Sequence, residues 1–260
     1  MSLTGKSPSE TYKDIAYVDN DNNGVTTSLK QVKTGNGSNT ALQVSDRSLQ
    51  VKSATDNTTA LDVQNASGTS KLLVDTTNNY VKANGEHVNT QYAHFGIGSG
   101  DSVFAGALAN NHYCIPFNGY SNQALAGMGT GTNPDTSLTI STTADDVTCC
   151  LWFIMDNITI DRVVWWSGAD AASGDTTRCH LMSYDVDSDN GSTGGDLSNG
   201  VVLADGADIT NAGYEQSYYQ QMTIQSADVS AGKVVLFTFR SDSVSSDFSI
   251  NATIKYHITG

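Results

Sequence analysis

The chain has 260 residues, with 13 Lys and Arg against 27 Asp and Glu. The imbalance is uneven: residues 1–90 hold 8 basic and 9 acidic side chains, whereas residues 91–260 hold 5 and 18, a net of −13. A segment so acidic repels phosphates, which argues against nucleic acid as a partner, and the length suffices for a small segment plus one sizeable β domain.

Residues 1–38 are polar and turn-rich. Asp19-Asn20-Asp21-Asn22-Asn23-Gly24 and Thr34-Gly35-Asn36-Gly37-Ser38-Asn39 read as loops, with one short strand expected between 25 and 32. Such a segment has little core of its own and is expected to order against a partner. No apolar stretch follows Met1-Ser2-Leu3-Thr4-Gly5-Lys6, so no secretory leader is expected. The longest unbroken apolar run, residues 149–155, is seven residues, far short of the about 20 that a membrane-spanning helix needs.

Residues 39–85 carry a weak repeat. Thr40-Ala41-Leu42-Gln43-Val44 returns nineteen positions later as Thr59-Ala60-Leu61-Asp62-Val63. Each copy is followed by a second short apolar run, Ser48-Leu49-Gln50-Val51 and Lys71-Leu72-Leu73-Val74, and Asn79-Tyr80-Val81 closes the series. Apolar residues two apart between turn formers predict short strands. Strands this short do not bury enough surface to stand alone, and two units fall below the about three that a solenoid needs. The missing neighbours are expected to be other copies of the chain, with Leu42, Val44, Leu61, Val63, Leu72 and Val74 lining a shared interior.

Residues 86–112 read as a linker around the flexible stretch Gly96-Ile97-Gly98-Ser99-Gly100. From 113 to 260 the pattern is that of an antiparallel, jelly-roll-like β-sandwich. Strands are expected near 113–117, 137–141, 147–156, 158–166, 177–186, 200–204, 218–225, 233–240 and 247–258. Residues 249–258 alternate apolar and polar, so one face should be buried and the other wet. The runs 151–155 and 234–237 are apolar throughout and are expected as central strands, covered on their second side by a loop or a neighbouring subunit. A short helix is allowed around 123–128.

Candidate chemistry is sparse. Asp185, Asp187 and Asp189 stand at positions one, three and five of an acidic loop whose twelfth position is Asp196. Carboxylates at alternate positions can wrap one Ca²⁺, but Gly191 falls at seven rather than six and the twelfth residue is Asp rather than a bidentate Glu, so the bland reading is a solvated loop. The similar start at Asp19, Asp21 and Asn23 fails because its twelfth position is Lys30. His87, His94, His112, His180 and His257 show no zinc-finger spacing. Cys114, Cys149, Cys150 and Cys179 include no C-x-x-C pair and are expected as reduced, mostly buried thiols. Gly100-Asp101-Ser102-Val103 faintly resembles the nucleophile block of Gly-Asp-Ser esterases, but none of the five histidines has an Asp three residues before it. Asp145-Asp146 reads as a turn. In each of the doublets Trp165-Trp166 and Tyr218-Tyr219 one ring should face a core and the other should face out, toward a subunit interface or a sugar ring.

The chain resembles the short appendage proteins of tailed bacteriophages, especially marine ones. The likeness is carried by Gly5-Lys6-Ser7-Pro8-Ser9-Glu10-Thr11-Tyr12-Lys13-Asp14, the Thr-Ala-Leu-x-Val words, Leu73-Val74-Asp75 and Val81-Lys82-Ala83-Asn84-Gly85. It covers about residues 1–85. It implies a homotrimer with a virion-anchoring segment at 1–38, a trimeric β shaft at 39–85, a neck at 86–112 and an outward knob at 113–260. Such proteins serve as capsid fibres or decoration proteins and as tail fibres that recognise host-surface glycan or protein. No catalysis is expected; a depolymerase spike would need a longer β-helix.

Overall fold

The computed structural model describes residues 15–21, 23–98, 110–119, 125–140, 143–169, 173–213, 216–242 and 248–259. The start of the anchor segment, including Gly5 to Asp14, and the Gly100-Asp101-Ser102-Val103 stretch lie outside these residues. Of the described residues 53 % are in strands and 2 % in helix, with every strand pair among them antiparallel, and the chain divides into two compact units, Met1–Val88 and Asn89–Gly260.

The first unit contains two four-stranded meanders. One runs β1 (Ala16–Val18), β2 (Lys30–Thr34), β3 (Asn39–Val44), β4 (Leu49–Val51); the other runs β5 (Leu61–Gln64), β6 (Ser70–Asp75), β7 (Tyr80–Ala83), β8 (Glu86–His87). The segment read as an anchor therefore contributes β1 and β2 to the first sheet.

The true period of this unit is 31 residues rather than nineteen. Gly37 (φ 88°) is matched by Gly68 (φ 81°). The turn bonds Thr34 N–H to Ser38 C=O and Gly37 N–H to Thr34 C=O recur as Asn65 to Thr69 and Gly68 to Asn65. The strand pairs Leu42↔Val51, Gln43↔Gln50 and Val44↔Leu49 recur as Leu73↔Lys82, Val74↔Val81 and Asp75↔Tyr80. The nineteen-residue word compares the inner strand β3 with the outer strand β5, so it matches like sequences at unlike places in the meander. The glycines mark the repeat more faithfully, because a turn that demands φ > 0 admits few other residues.

The second unit is a two-sheet sandwich. One sheet follows the path β10 (His112–Ile115), β19 (Lys233–Ser241), β13 (Thr176–Val186), β14 (Leu197–Asp205), β17 (Thr223–Ile224), with β11 (Trp152–Phe153) on β19 and β15 (Ile209–Thr210) on β13. The other follows β16 (Gln216–Gln221), β12 (Ile158–Ala169), β20 (Phe248–Ile258), β9 (Thr90–Ile97), with β18 (Asp228–Val229) on β12. The core forms where their facing side chains interdigitate. Phe95 of β9 stacks on Phe237 of β19 at 5.9 Å, and Trp165 of β12 meets Phe239 of β19 edge-on at 6.5 Å.

Several expectations change here. β9 falls in the segment read as a linker, yet it is a full strand of the second sheet. The run 234–237 is a buried central strand, as its apolar character requires, and its second side is covered by the chain itself. Cys114 and Tyr113 of β10 bond and bridge to Ala126 and Gly127, and the Tyr184 hydroxyl donates to the Asp135 carbonyl at 2.9 Å. The run 151–155 is not central. The short helix α1 (Ala144–Thr148) precedes it, β11 keeps two residues, and Phe153 and Met155 are exposed. Of the segment 123–128 read as a short helix, residues 125–128 are not helical, Gly127 forming an isolated bridge with Tyr113, and 123–124 lie outside the described residues. Along β20, buried Phe248, Ile250, Ala252 and Ile254 alternate with wetter partners, as read from the sequence.

Candidate functional site

The first unit has no buried hydrophobic side chain among its described residues; the first described one is Ala93. Ten of the sixteen large hydrophobics exposed among the described residues precede residue 89. They are ordered, not scattered. Cross-strand pairing puts Leu61, Val63, Leu72, Val74, Val81 and Ala83 on one face of the second meander. Asp62, Leu73, Asp75, Tyr80 and Lys82 take the other face. In the first meander Leu42, Val44, Leu49 and Val51 share a face. The six residues read as a shared interior thus lie on one apolar face of each sheet. That face is left open within one chain: Leu49 is 67 % exposed, Val63 48 % and Leu72 37 %. Val51, Leu61 and Val74 border one cavity of about 440 Å³. Repeat-equivalent positions do not carry the apolar face, since Leu42 and Val44 correspond to Leu73 and Asp75.

The four carboxylates read as a Ca²⁺ site are not gathered. Asp185, at the end of β13, accepts from Lys233 and from Asn199 Nδ2 at 2.8 Å. Lys233 and Asn199 hold its carboxyl below the usual carboxylate range. Asp187 accepts from Thr193 Oγ1 at 2.6 Å and from the Asp189 N–H at 3.0 Å, which lowers its pKa in turn. Asp196 accepts from the Ile140 N–H at 2.8 Å, and Asp189 is exposed. The strand register decides this, because Asp185 pairs directly with Lys233 on β19. Among the described residues no group of three or more His, Cys, Asp or Glu could hold a metal.

Cys149 is half-buried and the other three cysteines are buried. Cys149 and Cys150 follow α1, their sulfurs 3.7 Å apart. Burial pushes the Cys114 thiol up to about 12, so it is no ready nucleophile.

Sequence reading missed a buried histidine pair. β10 and β13 both flank β19, which brings the His112 and His180 rings to 5.0 Å. Asp205 stands beside them, its carboxylate clasped by Arg178 at 3.0 and 2.7 Å. His180 Nε2 lies 3.1 Å from that carboxylate without a well-aligned hydrogen bond. Burial pushes His180 down to about 4, against the pull of Asp205, and lowers His112 as well. The sequence holds no signal for this pairing of residues 68 apart.

The Trp165-Trp166 doublet divides into a buried and an exposed ring, whereas in Tyr218-Tyr219 Tyr218 is only half-buried. Trp165 is fully buried, whereas Trp166 is 50 % exposed and Tyr219 46 %. The register Trp166↔Tyr219 sets these two rings side by side on the outer face of the β16–β12–β20–β9 sheet, centroids 5.1 Å apart and tilted by 54°. Arg162 donates to the Tyr219 hydroxyl at 3.1 Å. Across the sheet the same row continues through Asn251 to Gly96. A cleft of about 670 Å³ opens beside Trp166 along this face.

No protein-family model matches the chain, and neither does any curated protein sequence. Among solved structures the chain is similar to the Clostridium thermocellum N-terminal endo-1,4-β-D-xylanase 10B CBM22-1–GH10 modules complexed with xylohexaose, at 12 % identity and a TM-score of 0.22. The match covers 64 % of this chain and 29 % of that one, and a likeness this slight carries no argument about fold or function.

Proposed function

We propose that this chain is a bacteriophage virion structural protein: a homotrimeric capsid fibre or decoration protein without catalytic activity. Residues 1–38 seat it in the capsid or tail, the two meanders form a short trimeric shaft, and the acidic sandwich faces outward at the virion surface. The observation that carries this reading is the open apolar face on each meander. A lone four-stranded sheet with one apolar face in water is marginal at best, and apolar surface of this kind marks an interaction site. Three copies packed about a common axis would cover all six core residues at once. The number three and the particle come from the resemblance of residues 1–85 to phage appendage proteins.

Sedimentation equilibrium of the purified chain tests it. The expected mass is three times the 27.5 kDa of one chain; a folded, monodisperse monomer would overturn the reading. Deleting residues 1–14, which precede β1, should leave both meanders and the oligomer intact and abolish incorporation into particles. A second reading, a tail fibre that recognises a host-surface glycan, is favoured by the solvent-facing Trp166 and Tyr219 on the sandwich.

A further inference from the structure

We infer that the outer face of the β16–β12–β20–β9 sheet holds a binding cleft for an uncharged saccharide, with Trp166 as its stacking platform. The inference deepens the tail-fibre reading and rests on it for its biological setting, while the chemistry of the cleft stands on the sandwich alone.

Four observations converge. Trp166 spends half of its surface on solvent in a sandwich that otherwise buries its tryptophans, Trp152 at 8 % and Trp165 at 0 %. Its ring is held from the side by Tyr219, itself fixed by Arg162, so the platform is rigid before a ligand arrives. The floor next to it is kept low by glycine. Gly168 neighbours Ser217 and Ser249 in register, and a Cβ there would sit 2.6 Å from Ser249 Oγ. The rim offers polar donors and acceptors: the neutral Asn251, Ser217, Ser249 and Asn118, with the His94 ring beside them, its Nδ1 3.2 Å from Thr253 Oγ1.

The composition of the lining selects the ligand. Among the described residues no Asp, Glu, Lys or Arg lines the cleft. A phosphate or a carboxylate would find no counter-charge among them, and the acidic sandwich would repel both. A cation would find no carboxylate among them. A purely apolar ligand would leave the polar rim unsatisfied. A sugar ring suits both surfaces, its C–H face lying on the indole and its hydroxyls reaching the amide and hydroxyl rim. The volume falls within the about 300–1,000 Å³ of small-ligand sites. A second copy of the chain fits less well, since the rim is glycine, serine and asparagine rather than the aliphatic surface that the first unit exposes.

The test uses the full chain and an array of neutral oligosaccharides built from glucose, galactose, mannose and N-acetylglucosamine, followed by calorimetric titration of the strongest binder. Trp166→Ala should weaken binding at least tenfold and Asn251→Ala several-fold, in sandwiches that still unfold cooperatively, with Trp166→Ala melting somewhat lower because half of its ring is buried against the sheet. Met155→Ala, exposed but outside the cleft, should bind as the parent does. Absence of any array binding, or binding that survives Trp166→Ala, overturns the inference. A change of sedimentation coefficient in Trp166→Ala also overturns it, because that face would then lie between copies. Sedimentation of the parent reports the oligomer separately: a monomer that still binds sugar refutes the trimer and supports the cleft.

Discussion

Val63→Asp separates a shared shaft from a self-sufficient one. Val63 lies on the apolar face, on the outer strand β5, paired with Leu72 and through it with Ala83. In a lone chain it is 48 % exposed, so about half of its transfer free energy, ~1 kcal/mol, is realised there. An aspartate at a half-open surface position would lose that and little more, because its carboxylate stays in water. In a trimer the same substitution sets three carboxylates into one apolar interior. Lys82, paired with Leu73, lies on the opposite face of the sheet. Unpaired buried charges cost several kcal/mol each, so the expected outcome is dissociation, with loss of strand signal from the first unit. All three tryptophans lie in the second unit, so indole emission should be unchanged and certify that the sandwich stays folded. Sedimentation velocity and urea titration at two protein concentrations read the result, since an oligomer's midpoint moves with concentration. Asp62→Asn, on the other face, is the control and should leave the oligomer intact. A Val63→Asp chain that keeps the parent's sedimentation coefficient, with a midpoint shift worth no more than ~1 kcal/mol, would refute the reasoning.

Other consequences follow from the sandwich. Gly200→Ala should destabilise it by about 1–3 kcal/mol in a urea melt, because a Cβ there would stand 2.6 Å from Tyr184 Cε1 and 2.8 Å from the Thr136 Cα; an unchanged midpoint would show that β14 can shift freely. His180 is held neutral in the fold, with Asp205, His112, Arg178 and Arg240 around it, and its folded pKa of about 4 lies below the ordinary 6.5. Above pH 6.5 both states are neutral; below it only the unfolded chain takes up the proton, so stability should fall between pH 6.5 and 4, by at most ~3 kcal/mol. His180→Gln should flatten that slope, and an equally steep profile in the variant would assign it to the carboxylates. Millimolar CaCl₂ should leave the melting temperature as it is in EDTA, because Lys233, Asn199, Thr193 and backbone N–H groups already engage the acidic residues. A rise that Asp187→Asn abolishes would restore the cation site.

Much of this protein is local, and that part is legible in the linear sequence. Strand positions in the sandwich follow from period-two alternation, which is a property of a single extended segment, and β12, β13, β19 and β20 fall close to where the pattern puts them. The open apolar residues of the shaft are readable for the same reason, since Leu61 and Val63 share a face by spacing alone. The split of Trp165 from Trp166 is likewise a matter of alternation. What spacing does not encode is which strands become neighbours. The choice of β19 as the strand between β10 and β13 brings His112 to His180 and sets Lys233 against Asp185, dissolving the apparent cation loop. The register of β12 with β16 places Trp166 beside Tyr219, and that of β12 with β20 places it beside Asn251, turning an exposed ring into one wall of a cleft. The shift from a nineteen-residue word to a 31-residue repeat has the same origin. A short apolar word looks alike on an inner and an outer strand, and only the hydrogen-bonded ladder, with Gly37 and Gly68 at its turns, distinguishes the two. Side-chain alternation is fixed within a strand, whereas pairing is settled by the sum of contacts across the sheet and between sheets. That sum exists only once the chain has folded.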